Sequence, residues 1–191
     1  MGLINGDESP IAIFPGAVTA EACDLLLAEA EALELQPGRV VDVGERVDRE
    51  VKTGFLPRDH WSSTIVQGAV TQANEAMGWN YALAGIESLQ FGQYSPGDHH
   101  DWHMDTLSHG ELVRKLTVIV QLDDSDAYEG GDLQLLRFGV DWHEALDLPW
   151  EPMRQRGTVM VFPSFLLHRV ASVLSGRRRT LVGWVLGPRF V

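Results

Sequence analysis

Apolar residues recur along this chain with two different periods, and the change falls at Gly78. Before it the spacing is helical: Cys23, Leu26, Leu27, Ala30 and Leu33 lie three or four apart, the repeat of one helix face. Thr19 stands where an N-cap belongs, Glu21 lies in the first turn where the helix dipole favours an acid, and Pro37-Gly38 stops the segment. Trp61, Ile65, Ala69, Ala73 and Met77 place one apolar residue on each turn of a second helix predicted over 62–77, with Gly78 as its terminator. Ile11 to Phe14 is a short apolar run closed by Pro15-Gly16, and residues 39–60 read as a strand plus a long loop. After Gly78 the period becomes two. Strands are predicted over 82–94, 115–122, 133–136, 158–162 and 178–186, between turns rich in Gly, Pro and Asp. Helices followed by a run of short strands predict a mostly β, α+β chain, a sandwich or jelly roll with the N-terminal helices packed on one sheet. No repeat or linker divides it, so residues 1–191 are expected to form a single domain. Residues 137–156, with Trp142, His143 and Trp150, read as a long insertion loop on the substrate side.

Composition narrows the function classes. The chain is 45% hydrophobic and 22% charged, an ordinary soluble composition. Fifteen Lys+Arg against 27 Asp+Glu give a net charge of -12, which repels phosphate backbones and anionic lipid and argues against nucleic-acid or membrane partners. Arg177-Arg178-Arg179 is the one local basic cluster. The single cysteine, Cys23, allows no internal disulfide and no cysteine-rich zinc site. The N-terminal residues lack the basic and apolar regions of a signal peptide, and no apolar run reaches membrane-spanning length. A cytoplasmic location is expected; these features leave the oligomeric state open.

Four of the seven histidines fall within residues 99–109. His103-Met104-Asp105 sets an imidazole and a carboxylate two residues apart, on one side of an extended segment, so both can reach one ion. His168, after the apolar stretch Val159 to Phe162 and Pro163, can supply a third ligand. Two histidines and one carboxylate on one face of an octahedral ion form the facial triad of non-haem iron(II) oxygenases. A His-x-Asp pair by itself also occurs in solvated acidic loops such as Asp98-His99-His100-Asp101, so the weight lies on the combination. Beyond the Gly176 turn, Arg178, Thr180, Val182 and Trp184 share one strand face, and Leu181, Gly183 and Val185 the other. If the first face points inward, Arg178 demands an anionic partner, and a dicarboxylate supplies one. Parity alone equally allows all three arginines to be a solvated strand start. Leu116, Val118, Val120 and Leu122 form an apolar face suited to packing under the helices, opposite Thr117, Ile119 and Gln121, which are suited to a cavity wall. Gln121 and Tyr94 are candidate donors to a bound co-substrate.

Three motifs in order carry a resemblance: Gln93-Tyr94 through Gly97, His100, His103 and Asp105; residues 114–122 followed by Tyr128-Glu129-Gly130-Gly131-Asp132-Leu133; and Phe162-Pro163-Ser164 through His168, Val170, Gly176, Arg178 and Leu181. Together they resemble the prolyl 4-hydroxylase-like Fe(II)/2-oxoglutarate-dependent dioxygenases over about residues 80–187. The resemblance implies a distorted double-stranded β-helix, a cupin-like jelly roll. It implies iron(II) held by His103, Asp105 and His168, with Arg178 on the distal carboxylate of 2-oxoglutarate. Tyr94 and Gln121 would face the co-substrate and Trp184 would line its pocket. It further implies O2 as co-substrate, ascorbate as an accessory reductant, and hydroxylation of a C–H bond in a peptidyl, for instance prolyl, or small-molecule substrate with release of succinate and CO2. The chain departs from the pattern at Gln93 (usually Arg), His100 (usually aromatic) and Ser172 (often Pro). His100 puts the substrate-side wall in question and, with His99, is a candidate for a second metal. The alternative is a cupin-like metal-binding or sensing module without oxoglutarate turnover. An oxygen-using enzyme without oxoglutarate is a further alternative, and a zinc hydrolase is disfavoured because no His-Glu-x-x-His accompanies the triad. Asp98 and Asp101 argue for a neutral or cationic substrate.

Overall fold

The change of period at Gly78 is a change of secondary structure. A computed structural model describes residues 10–38, 49–136 and 151–190. Its first part holds β1 (Ala12–Phe14), α1 (Ala20–Glu31), β2 (Gln36–Pro37), β3 (Arg49–Glu50), β4 (Lys52–Phe55) and α2 (Ser62–Ala76). Strands β5 (Gly85–Ile86), β6 (Gln90–Tyr94), β7 (His99–His103), β8 (Ser108–His109) and β9 (Leu112–Gln121) follow. The remainder comprises β10 (Tyr128–Gly130), β11 (Leu133–Leu135), α3 (Glu151–Arg154), β12 (Val159–Pro163), β13 (His168–Val170), β14 (Val173–Gly176) and β15 (Arg178–Pro188).

Helix α1 begins where its cap predicts: the Ala22 N–H donates to Thr19 Oγ1 at 3.2 Å. It buries Cys23, Leu26 and Ala30. Helix α2 ends at Gly78, whose φ of 67° is the left-handed conformation glycine adopts without penalty. Its buried face differs from the predicted stripe. Ala69 and Ala73 are buried as expected, but Trp61 is 38% exposed and Val66, Val70, Ser62 and Ser63 take the inner positions. Small and β-branched residues on that face let the helix lie close against β9 and β12, where an indole would hold it away.

The large antiparallel sheet runs β1-β12-β9-β15-β6-β4-β2, with β5 and β8 paired to β15 and β9. A smaller sheet runs β11-β13-β7-β3, and β10 pairs with β14. Alternation along the central strands divides the interior in two. Leu116, Val118, Val120 and Leu122 of β9 and its end, with Leu181 and Val185 of β15, pack against the helices. On the opposite face Ile119, Met160 and Phe162 meet Leu133, Leu135 and Val170 of the small sheet. Two sheets facing each other over this second core make the mostly β, double-stranded β-helix with helices on one sheet.

Several expectations shift in detail. Residues 82–94 are two short strands rather than one, and the expected strand within 39–60 is β3 and β4, residues 39–48 lying outside the described residues. The insertion at 137–156 is described only from residue 151, so Trp142, His143 and Trp150 are outside it. Its end is a short helix anchored by Met153, which is buried, and by Arg154, which donates to the Tyr128 and Gly130 carbonyls, each at 2.9 Å. Among the described residues no helix is long and apolar enough to cross a membrane.

Candidate active site

Cross-strand register builds the centre. In the small sheet β13 lies antiparallel to β7 with His168 directly opposite His103, and opposed side chains of paired strands are close neighbours. Their ring centroids are 4.2 Å apart. Asp105, two residues beyond His103, completes the group, and one donor atom from each residue lies within 4.8 Å of the others. No other group of three such residues occurs among the described residues.

Hydrogen bonds orient both rings. His103 Nδ1 donates to the Asp101 carbonyl at 2.7 Å, and His168 Nδ1 to the Leu166 carbonyl at 2.8 Å. With that nitrogen committed, a neutral imidazole turns its Nε2 lone pair inward. The inward nitrogens lie 3.8 Å from Asp105 Oδ1 and 3.4 Å from Asp105 Oδ2. Three acceptors thus face one another, an arrangement that a cation relieves; two imidazoles and one carboxylate form the donor set suited to iron(II). His103 and Asp105 are held in the states that bind a metal. Burial is the main reason that the His103 pKa falls to about 4. Burial opposes ionisation of Asp105, but His168 and His103 hold its carboxyl well below the usual carboxylate range. Metal binding requires neutral imidazoles and an ionised carboxylate.

The group borders a cavity of about 570 Å³ between the two sheets. Thr180, Val182 and Trp184 of β15 and Thr117 and Ile119 of β9 form its large-sheet wall, the faces that strand alternation assigns. Tyr94 also borders it, and burial raises the Tyr94 pKa, so the phenol remains a donor. Trp184 carries the Arg114 guanidinium 3.9 Å above its ring, and Arg114 is tied to Glu87 by two bonds of 2.7 Å. The Trp184 indole N–H is buried without a hydrogen-bond partner.

The three consecutive arginines diverge. Arg177 is exposed, and Arg179 binds Asp123 through its Nη2 at 2.5 Å. Arg178 is only 3% exposed, opposes Tyr94 in the β15–β6 register, and holds its guanidinium 5.4 Å from the Tyr94 ring centre. It has no ion pair or hydrogen bond among the described residues. It borders a small gap of about 10 Å³ rather than the main cavity, together with Gln121, Tyr128 and Gly131. Gln121 is also placed away from the main cavity: its Nε2 donates to Tyr128 Oη at 2.6 Å, and its Oε1 is buried without a partner. Strand parity predicts the side of the sheet correctly here but not the reach towards β10, which tertiary packing sets. Gly131 supports the same corner. Its φ is 66°, and a Cβ there would lie 3.0 Å from Arg178 Cδ.

His100 stacks on His103 at 3.5 Å between ring centres; burial first, then the charges of His103 and Arg49, lower its pKa to about 2. It lines the cavity as a neutral wall residue, while His99 Nδ1 donates to the Gly97 carbonyl. Asp98 closes the turn below, accepting from Ser95 N–H at 2.8 Å. Sequence reasoning passed over Arg49, which reaches the cavity because β3 pairs with β7 opposite His100. It also passed over Ser164, fully buried beside Asp105. Neither belongs to a periodic pattern; only the Phe162-Pro163-Ser164 motif pointed near the second.

The pattern of the 2OG-Fe(II) oxygenase superfamily matches residues 89–186, just over half of the chain, and includes His103, Asp105, His168 and Arg178. The chain belongs to that superfamily. The cofactor and co-substrates of that superfamily are iron(II), 2-oxoglutarate and O2, and the His103, Asp105 and His168 group suits the metal. A PKHD-type hydroxylase of Synechococcus sp. (strain CC9605) is 36% identical to this superfamily member over 100 residues, covering 52% of this chain and 42% of that protein. The chain therefore matches less than half the length of that relative. Among solved structures, a Pseudomonas putida prolyl-4-hydroxylase superposes with a TM-score of 0.69 over 94% of both chains at 19% identity. A prolyl hydroxylase from Trichoplax adhaerens, in complex with a hypoxia inducible factor oxygen degradation domain peptide fragment, gives 0.67 over 94% of this chain and 84% of that one, at 18% identity. At these identities the likeness establishes the double-stranded β-helix fold of this oxygenase superfamily.

Proposed function

We propose that the chain is an iron(II)- and 2-oxoglutarate-dependent hydroxylase acting on a peptidyl or small-molecule substrate. The observation that carries this is the convergence of His103, Asp105 and His168 beside a cavity. In this proposal His103 Nε2, His168 Nε2 and a carboxylate oxygen of Asp105 hold the metal. When bound, iron(II) supplies oxygen activation coupled to decarboxylation of 2-oxoglutarate, giving succinate, CO2 and a hydroxylated substrate. Arg178 takes the distal carboxylate of 2-oxoglutarate, which satisfies a guanidinium that has no anion among the described residues. The Tyr94 hydroxyl donates to the co-substrate, and Trp184 and Val182 exclude water from its flank. Gln121, through Tyr128, supports the Arg178 corner from behind. A metal-binding module without oxoglutarate would have no use for a buried, unpaired Arg178.

The cavity mouth supports an extended or apolar substrate. Phe55 and Met104 border it while 56% and 57% exposed, and Trp102 lies beneath the Arg169 guanidinium at 4.8 Å. A peptidyl substrate fits such a rim, and the Trichoplax adhaerens enzyme is a neighbour solved with a peptide. The proposal treats residues 1–191 as one oxygenase domain, supported by α1 and α2 packing on the large sheet, and places it in the cytoplasm, supported by the buried free thiol of Cys23. The test is anaerobic titration of the metal-free protein with iron(II), then 2-oxoglutarate. A visible metal-to-ligand charge-transfer band is expected, and its loss in His168→Ala. Iron binding with no band on adding 2-oxoglutarate would overturn the assignment.

A further inference from the structure

Asp105 is gripped by a short chain of buried groups. Thr117 Oγ1 donates to Asp105 Oδ2 at 2.8 Å, and Thr117 Oγ1 and Ser164 Oγ lie 3.0 Å apart. Both hydroxyl residues are fully buried. The direction of the chain follows from donor count. An ionised carboxylate only accepts, so the single Thr117 proton goes to Asp105 and Thr117 Oγ1 must accept from Ser164. Ser164 therefore donates to Thr117, and Thr117 to Asp105, each bond polarising the next. Ser164 also holds the Asp105 backbone: the Asp105 N–H donates to the Ser164 carbonyl at 2.9 Å, and the Thr106 hydroxyl donates to the same oxygen at 3.3 Å. Ser164 is itself fixed to β9, its N–H donating to the Lys115 carbonyl at 3.0 Å. The turn after β12 thus clasps the ligand by main chain and side chain together. Thr117 holds only Oδ2, which lies 3.4 Å from His168 Nε2, whereas Oδ1, 3.8 Å from His103 Nε2, accepts no hydrogen bond from Thr117 or Ser164.

We infer that Thr117, seated on Ser164, is a positioning residue that presents Asp105 to the metal through one oxygen, Oδ1. The inference rests on the proposed metal site. Without the Thr117 hydroxyl the carboxylate is free to rotate about its terminal torsion, and both oxygens compete for one coordination position. The hydroxyl contributes nothing by touching substrate; it acts through Asp105 alone. A tie that merely joined β9 to the β12–β13 turn would instead contribute to stability and leave metal affinity unchanged.

The test is Mn(II) titration of the metal-free chain, reading free Mn(II) by its electron paramagnetic resonance signal. Wild type, Thr117→Val, Thr117→Ser and Ser164→Ala are compared, with melting temperatures taken without metal. Thr117→Val keeps the shape and removes the donor, and is expected to raise the Mn(II) Kd about 10- to 100-fold, the usual cost of losing a group that orients a metal ligand. Thr117→Ser restores the donor and should return the Kd to near wild type. Ser164→Ala leaves the Thr117 donor but removes its support, and should fall between the two. A folded Thr117→Val protein that binds Mn(II) like wild type overturns the inference. If Thr117→Val is too unstable to titrate, Ser164→Ala decides: a raised Kd supports the chain, and an unchanged Kd overturns it. If wild type itself takes up no Mn(II), the proposed metal site fails and the inference with it. Wild-type binding with unaltered variants removes only the positioning role.

Discussion

Replacing Arg178 with Met separates two effects of opposite sign. Arg178 is 3% exposed as a residue and has no ion pair or hydrogen bond among the described residues; its guanidinium lies 5.4 Å from the centre of the Tyr94 ring. A cation over an aromatic face is worth about 0.5–2 kcal/mol, less than the several kcal/mol of desolvation that a buried charge costs. Exchanging it for an apolar side chain of similar length should stabilise the protein without ligand by roughly 1–3 kcal/mol, the order seen when buried charges give way to packed apolar groups. Binding should move the other way. Loss of charge-assisted bonds to a carboxylate, at about 1.5–3 kcal/mol each, should weaken 2-oxoglutarate binding at least 100-fold. The two effects meet in one assay, urea denaturation of the Mn(II)-loaded protein with and without 2-oxoglutarate. At 100 times its wild-type Kd, the ligand should stabilise wild type by about 2.7 kcal/mol. The same concentration should stabilise Arg178→Met by no more than about 0.4 kcal/mol, because it then only equals the variant's Kd. A variant that is less stable without ligand, or that gains as much from 2-oxoglutarate as wild type, would refute the buried, ligand-seeking guanidinium.

Gly131→Ala should disturb the same corner from the backbone. A residue forced to a φ of 66°, with its Cβ 2.9 Å from Val173 Cγ2 and 3.0 Å from Arg178 Cδ, should cost about 1–3 kcal/mol of stability. It should also raise the KM for 2-oxoglutarate more than it lowers kcat; an unchanged melting temperature and KM would show that the turn tolerates a side chain. The centre also predicts a pH dependence. Burial lowers the His103 pKa from 6.5 to about 4, so between those values the unfolded chain binds the extra proton and the folded one does not. Stability of the metal-free protein should therefore fall as pH drops from 6.5 towards 4 and stay flat in this respect above 6.5. The lowered Asp105 pKa adds a further loss below its unfolded value of 3.8. Denaturation midpoints against pH should show the slope, and His103→Ala should reduce it between 4 and 6.5, the remainder coming from His100, whose pKa burial lowers to about 2.

Much of the fold was legible in the sequence because periodicity reports which face of an element is buried. Thr19, Glu21 and Gly78 marked helix ends through local hydrogen-bonding and backbone preferences, which need no tertiary context. The alternation in β9 and β15 separated the helix-facing residues, Leu116, Val118 and Leu181 among them, from the cavity-facing Thr117, Thr180 and Trp184. Periodicity was weaker where a side chain's volume decides the fit, as when Val66 and Val70 displaced Trp61 from the inner face of α2. It was silent for β7, whose residues His99 to His103 are polar apart from Trp102 because they serve a site rather than a core.

The sequence by itself determined which chemistry the chain carries: two histidines, a carboxylate and an arginine, in an order that a local motif can hold. Only the tertiary structure decided how they meet. The β7–β13 register sets His168 against His103, β3 brings Arg49 to the cavity, and Asp123 claims Arg179 while Arg178 turns inward beside Tyr94. The same packing directs Gln121 to Tyr128 and lays Ser164 under Thr117 and Asp105. These are pairings between residues distant along the chain. A side chain's period says which side of a strand it occupies, but its partner is chosen by whichever strand or turn folds against that side.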